Sequence, residues 1–217
     1  MQVLIITGGI LPDDAVLLGA AQAADAVLCA DMGAQTALRL GVPVHRYVGD
    51  MDSLPAELLA KIRRQDTSVE QHPREKDETD TQLAVDMAIA MGATQVTIAG
   101  GLTGRGGGRF DHGLGNLLLL IRLHQAHIPA VFWDACNRIQ VIMNQIVSLP
   151  GRPGALISLF PFGEGVVITE FSGVRYPLHH YTLPIDRPLG ISNEFIDTQA
   201  TLEVRGGYCF VIQSRDA

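Results

Sequence analysis

The chain has 217 residues, 47% of them hydrophobic, and a formal net charge of −7 from 16 Lys and Arg against 23 Asp and Glu. That much apolar material can bury a real core, in one large domain or two small ones. No Lys/Arg block interrupts the acidic excess, which argues against nucleic acid as a partner, because sequence-independent binding needs clustered cations.

The opening Met1–Gly9 has no cationic segment and breaks too soon for a signal peptide. No apolar stretch reaches the ~18 residues of a membrane helix. Cys29, Cys136 and Cys209 are far apart and form no C-x-x-C, so they read as reduced thiols. A cytoplasmic protein with no membrane partner is expected.

In chain order, Val3–Ile6 is a short apolar run closed by Gly8-Gly9 and reads as a buried strand. Asp13 or Asp14 can cap a helix running to about Ala24. Ala26–Ala30 is the next strand, with Asp31 at its end; Gly33–Leu40 is helical and Gly41 stops it. Val44–Val48 is a third strand, and Pro55, with Ser53 as cap, opens a helix over Ala56–Arg64. Val69 marks a short strand. Asp80–Met91 carries an apolar stripe at Leu83, Met87, Ala90 and Met91, the spacing of one helix face. Val96–Ala99 is a strand, Leu114–His124 a helix and Ala130–Trp133 a strand. Strands alternating with helices predict a parallel sheet with right-handed crossovers.

After about Asp134 no helix-length stripe appears. Gln140–Met143, Leu156–Phe160, Val166–Phe171, Thr201–Val204 and Tyr208–Ile212 are short apolar runs separated by Pro and Gly, the pattern of antiparallel strands. The expected architecture is α/β: a parallel-sheet, Rossmann-like domain over residues 1–140, then an all-β sandwich domain over 141–217.

Chemistry concentrates in a few segments. Gly49-Asp50-Met51-Asp52-Ser53 puts two carboxylates two positions apart after an apolar run, which aims both to one side of an extended chain. Two hard oxygen ligands suit Mg²⁺, which binds phosphate-bearing substrates through one or two carboxylates and keeps its waters. Asp31, and Asp77 to Asp80, add further acids near strand or helix ends. Carboxylates gathered on one sheet edge repel one another unless a cation is present. Gly100–Gly108 is a glycine-rich loop whose amides can approach phosphate oxygens, though it lacks the Gly-Lys-Ser/Thr of a Walker motif. It leads to Arg109, a planar fork for phosphate, then Asp111 and His112. Asp111 and Asn116 could fix a ribose, a base or the helix start. His124 and His127 read as a solvated pair at a helix end, and His179-His180 has no Cys or acidic neighbour in sequence to make a zinc site.

Taken in order, these segments resemble the thiamine pyrophosphokinase family. Its pattern matches Ala30-Asp31-Met32-Gly33-Ala34, Gly49–Ser53, Thr79-Asp80, Gly107–His112 followed by Asn116, and Leu189–Phe195 with its Ser192-Asn193-Glu194. The resemblance implies a homodimer that transfers the pyrophosphoryl group of ATP to the hydroxyethyl oxygen of thiamine, giving thiamine diphosphate and AMP. It implies Mg²⁺ held by Asp50, Asp52 and Asp80, which are also the catalytic residues. Asp31, Gly33, Ser53, Thr79, Arg109, Asp111, His112 and Asn116 would engage ATP; Ser192 and Asn193 would contact thiamine. Met32 stands where the family usually has glycine, and Leu102–Gly107 is longer than usual. Three other readings use the same residues: a pyrophosphokinase for another hydroxymethyl heterocycle such as a pterin, a non-catalytic thiamine or nucleotide sensor, and a metal-dependent phosphohydrolase.

Overall fold

Apolar runs with no polar alternation become strands covered on both faces. β1 (Gln2–Ile6) is buried from its second residue on, and β2 (Ala26–Ala30) throughout, as in a parallel sheet between helix layers. The structure, a computed structural model, describes residues 1–49, 55–63, 68–71, 77–102 and 110–215. It divides into two compact units, Met1–Ala135 and Cys136–Ala217.

In the first unit, β3 (Arg46–Gly49), β4 (Ser68–Gln71), β5 (Gln95–Ala99) and β6 (Ala130–Trp133) join β1 and β2. Every pairing is parallel, and the order is β4-β3-β2-β1-β5-β6. The helices are α1 (Asp14–Ala23), α2 (Gly33–Arg39), α3 (Ala56–Arg63), α4 (Asp80–Ala90) and α5 (Phe110–Gln125). Right-handed crossovers put α1 to α3 on one face and α4 and α5 on the other. Accordingly, Leu4, Ile6, Val27 and Cys29 share one core cluster with Leu17, Ala34, Ala37 and Ile62 of the first three helices. An Arg122–Asp86 ion pair links α5 to α4.

Two helices differ from the sequence expectation. The buried stripe of α4 is Thr81, Ala84, Val85 and Ala88, whereas Leu83 and Met87 are only half-buried and Ala90 is exposed. Small residues let the helix lie close against the strands, so the sheet selects the small face and the larger side chains pack at its margin. Helix α5 begins at Phe110 rather than Leu114, which brings Asp111 into its first turn. Gly113 makes that early start possible, because a Cβ there would sit 2.2 Å from the Leu102 carbonyl oxygen.

The second unit is antiparallel throughout. β7 (Asn137–Ile142), β9 (Leu156–Phe162), β12 (Asn193–Glu194) and β14 (Tyr208–Ser214) form one sheet region in the order β12-β9-β14-β7. β8 (Gln145–Pro150), β10 (Val167–Ser172), β11 (Leu178–Thr182) and β13 (Gln199–Arg205) form another, in the order β11-β10-β13-β8. Ile157, Leu159, Ile168, Phe171, Leu202 and Val211 from both sheets share one core. β7 pairs along its whole length with β14, so residues from 137 onward belong to this unit, against the expected division at 140.

Candidate active site

The strand order reverses between β1 and β5, and an open parallel sheet offers its ligand crevice outside the carboxyl ends of the strands at such a point. The chain leaving that edge is stitched together by its backbone. Thr7 N–H donates to Ala99 O at 2.9 Å, Gly101 N–H to Gly8 O at 2.7 Å, and Gly100 N–H to Trp133 O at 2.8 Å. Gly101 has φ +82°, and a Cβ there would lie 2.8 Å from Thr7 Oγ1 and 3.0 Å from Asn116 Nδ2. Asn116, almost fully buried on α5, donates its amide to Gly101 O at 2.9 Å. The side chain expected among the ATP contacts therefore anchors the first residues of the glycine-rich segment to the helix behind it.

Asp31 follows β2 in a left-handed conformation, φ 50°. Its N–H donates to Val48 O at 3.2 Å and its carbonyl accepts from Ala34 N–H at 3.3 Å, so a half-buried carboxylate is fixed where α2 begins. Gly33 serves this junction sterically: a Cβ at that position would stand 2.0 Å from Ile6 O. Thr79 is the N-cap of α4, its Oγ1 accepting from Gln82 N–H at 3.1 Å. Asp80 is the first residue of that helix and half-buried; Asp111 and His112 lie exposed in the first turn of α5. Carboxylates in these turns also suit the helix dipoles. Both helices enter from the carboxyl edge, since each returns the chain from one parallel strand to the next. Asp31, Asp80 and Asp111 thus share that edge.

Asp50, Asp52, Ser53 and Arg109 lie outside the described residues; Gly49, the last residue of β3, brings the chain to the same edge. Among the described residues no three His, Cys, Asp or Glu side chains are grouped to hold a metal. The carboxylates described there, Asp31, Asp80 and Asp111, are hard oxygen ligands of the kind Mg²⁺ takes.

In the second unit Ser192 is exposed with φ 58°, its N–H donating to Ser158 Oγ at 3.0 Å. Asn193 is buried and clamps a neighbouring segment. Its Oδ1 accepts from Tyr176 N–H at 3.0 Å and Glu194 N–H at 2.9 Å, and its Nδ2 donates to Tyr176 O at 2.7 Å. One amide hydrogen is left for a ligand. Arg175 pairs with Glu194 at 3.2 Å and lies over the Tyr176 ring.

Elsewhere, His179 does have an acidic partner, Glu170 Oε2 at 2.7 Å, supplied by the adjacent strand. Hydrogen bonding from Ser172 holds the Glu170 carboxyl below its ordinary range, with His179 adding to the effect. Sequence reading passed over Thr7, a buried hydroxyl directly before Gly8-Gly9 at the reversal point, and the pairing of Arg175 and Tyr176 with the Asn193 segment. The first was legible as a polar residue closing an apolar strand; the second depends on tertiary contact.

An open parallel sheet with acids at its carboxyl edge, followed in the chain by an antiparallel unit, defines an α/β protein whose candidate site is the crevice at the strand-order reversal. Two family models match: "Thiamin pyrophosphokinase, catalytic domain" over residues 19–132 and "Thiamin pyrophosphokinase, vitamin B1 binding domain" over residues 144–209. The chain is similar to the thiamine pyrophosphokinase of Bacillus subtilis, 31% identical over 188 residues that cover 86% of each chain. A crystal structure of thiamine pyrophosphokinase from the same species matches over 100% of both chains, with TM-score 0.87 and 30% identity. The thiamin pyrophosphokinase of Candida albicans, 12% identical, has the same fold, with TM-score 0.81 over 99% of this chain and 89% of that one. The chain belongs to the thiamin pyrophosphokinase family.

Proposed function

We propose that this chain, as a thiamine pyrophosphokinase, transfers the pyrophosphoryl group of ATP to the hydroxyethyl oxygen of thiamine, releasing thiamine diphosphate and AMP. Besides the family, the observation that carries this reading is the carboxyl edge, where Asp31 N–H donates to Val48 O of β3 and Asp80 opens α4. In this reading Asp50, Asp52 and Asp80 would hold Mg²⁺, which supplies charge neutralisation at the phosphate oxygens. Arg109 grips phosphate through its fork, while Gly101, tied to Asn116, fixes where the loop towards it begins. The thiamine hydroxyl attacks the β-phosphorus as AMP departs, and an aspartate accepts the proton. Positioning supplies most of such catalysis. Ser192 offers its exposed hydroxyl to thiamine, and the Asn193 clamp holds it there with one amide hydrogen to spare.

A homodimer belongs to the same proposal. The second unit exposes Tyr176, Ile185 and Ile196, each at 62%, and Leu189 at 58%, apolar surface that a second copy would cover. So does a cytoplasmic location, in keeping with three free cysteines. Among the described residues no helix is long and apolar enough to cross a membrane.

The test is AMP formation from ATP with thiamine, with an acceptor-free control, in the wild type and in Asp52→Ala. Turnover is expected only with thiamine and only in the wild type. Near-normal AMP release by a folded Asp52→Ala protein would refute the metal assignment; equal release without thiamine would make the chain a phosphohydrolase.

A further inference from the structure

In the second unit the segment from Gly190 to Phe195 is tied down at both ends. At its start Leu159 N–H of β9 donates to Gly190 O at 2.8 Å, and a Cβ on Gly190 would stand 2.4 Å from Leu159 O. At its far end Phe195 is buried, and its N–H donates to Ala155 O at 2.9 Å. The Phe195 ring fills the space beside Gly151, where a Cβ would come 2.4 Å from it. Between these points β12 runs antiparallel to β9, with Asn193 opposite Ile157 and Glu194 opposite Leu156.

One step further along that ladder, Ser192 would pair with Ser158. The ladder stops instead. Ser192 turns into the left-handed region at φ 58°, which a residue with a Cβ adopts rarely and keeps only where its surroundings impose it. Its N–H is met by a side chain in place of a carbonyl, Ser158 Oγ accepting at 3.0 Å. Ser158 is 8% exposed and sits within β9, paired with Ile212 of β14, so this acceptor stands on a strand held from both sides. The strand itself has no need of a hydroxyl there. Its neighbours Ile157 and Leu159 fill the core, and its ladder runs through backbone groups. The Ser158 hydroxyl is spent on Ser192.

We propose that Ser158 is a positioning residue for thiamine. Its Oγ holds Ser192 in the left-handed turn, and so presents the exposed Ser192 hydroxyl next to the spare amide hydrogen of Asn193. Without that acceptor the turn loses the bond that keeps it from relaxing into extended chain. The inference rests on the pyrophosphokinase reading, in which Ser192 and Asn193 contact thiamine, and adds the group that sets their geometry.

The experiment is a double-mutant cycle on Ser158→Ala and Ser192→Ala, with Ser158→Thr as the variant that keeps the hydroxyl. Ser158→Cys, which keeps the volume but accepts poorly, replaces Ser158→Ala should the alanine not fold. KM for thiamine, KM for ATP, thermal melting and calorimetric thiamine binding are measured for each. Ser158→Ala should raise the thiamine KM about fivefold or more, the size of one lost hydrogen bond, and leave the ATP KM unchanged. Ser158→Thr should restore the thiamine KM to within about twofold of the wild type. In the Ser192→Ala background, where the hydroxyl to be positioned is gone, Ser158→Ala should add less than about twofold. A native thiamine KM in folded Ser158→Ala overturns the proposal. So does an equal rise in both KM values, or a full additional loss in the double variant. If the wild type makes no AMP from ATP and thiamine, the pyrophosphokinase reading fails by itself. Calorimetry then decides the proposal: thiamine binding weakened by Ser158→Ala upholds it, and equal or absent binding overturns it.

Discussion

Asn116→Ala tests how the glycine-rich segment is held. In the native chain the Asn116 amide donates to Gly101 O at 2.9 Å, and the side chain is only 6% exposed. Truncation removes a bond whose net worth is about 1 kcal/mol and leaves a carbonyl short of its partner, which costs about 1–3 kcal/mol when buried. Gly101 is half-buried, so water reaches its oxygen and the low end of that range applies. Alanine returns about 0.5 kcal/mol in helix propensity. The sum is a loss of about 1.5 kcal/mol, and at ~2–4 °C per kcal/mol for a chain of this size the melting transition falls by roughly 3–6 °C. Because Gly101 opens the segment leading to Arg109, the ATP KM should rise in the same variant while the thiamine KM holds. Differential scanning calorimetry and an AMP-release assay read the two effects. A variant with native melting temperature and native ATP KM would show that the Asn116–Gly101 bond positions nothing.

Two glycines give opposite outcomes. Gly33→Ala forces a Cβ to within 2.0 Å of Ile6 O and should cost more than about 3 kcal/mol, seen as a collapse of soluble yield or melting temperature. Gly19→Ala, inside α1 with nothing within 4 Å of the new Cβ, should stabilise by about 0.5–1 kcal/mol in denaturant titration. Thiol labelling at pH 8 should modify Cys136 in the native protein. Cys29 and Cys209 should react only after denaturation, because burial raises both thiols, Cys209 to about 12. Burial, and then the neighbouring His127, lowers the pKa of His124. The unfolded chain therefore takes up its proton first as pH falls through the ordinary histidine range, so stability declines there; His124→Gln should flatten that part of the melting-temperature profile.

Elements with a buried face were legible in the sequence. β1, β2, β5 and β6 carry continuous apolar runs, and β9, β10, β13 and β14 alternate enough to be found. The strands that escaped notice, β8, β11 and β12, are all at sheet edges. Only Leu149 of β8 is buried, β11 has no buried residue, and β12 is two residues long. An edge strand is held by its backbone ladder more than by a core face, so hydrophobic patterning carries little of it. The α4 stripe was misread for a related reason: ranking residues by size favours Leu83 and Met87, while close packing against a sheet favours Ala84 and Ala88. At the site, sequence supplied the acids and their order. It could not show that Asn116 and Asn193 spend their amides on backbone groups, because Gly101 and Tyr176 lie 15 and 17 residues away in the chain.

The central claim is that acids at the carboxyl edge of the first unit hold a divalent ion on the triphosphate. Magnesium titration of thiamine-dependent AMP release, in the wild type and in Asp80→Asn, addresses it directly. The account predicts no turnover in EDTA, saturation by Mg²⁺ in the wild type, and a metal requirement raised about tenfold or more in the variant. Superimposable titration curves, or full activity in EDTA, would contradict it.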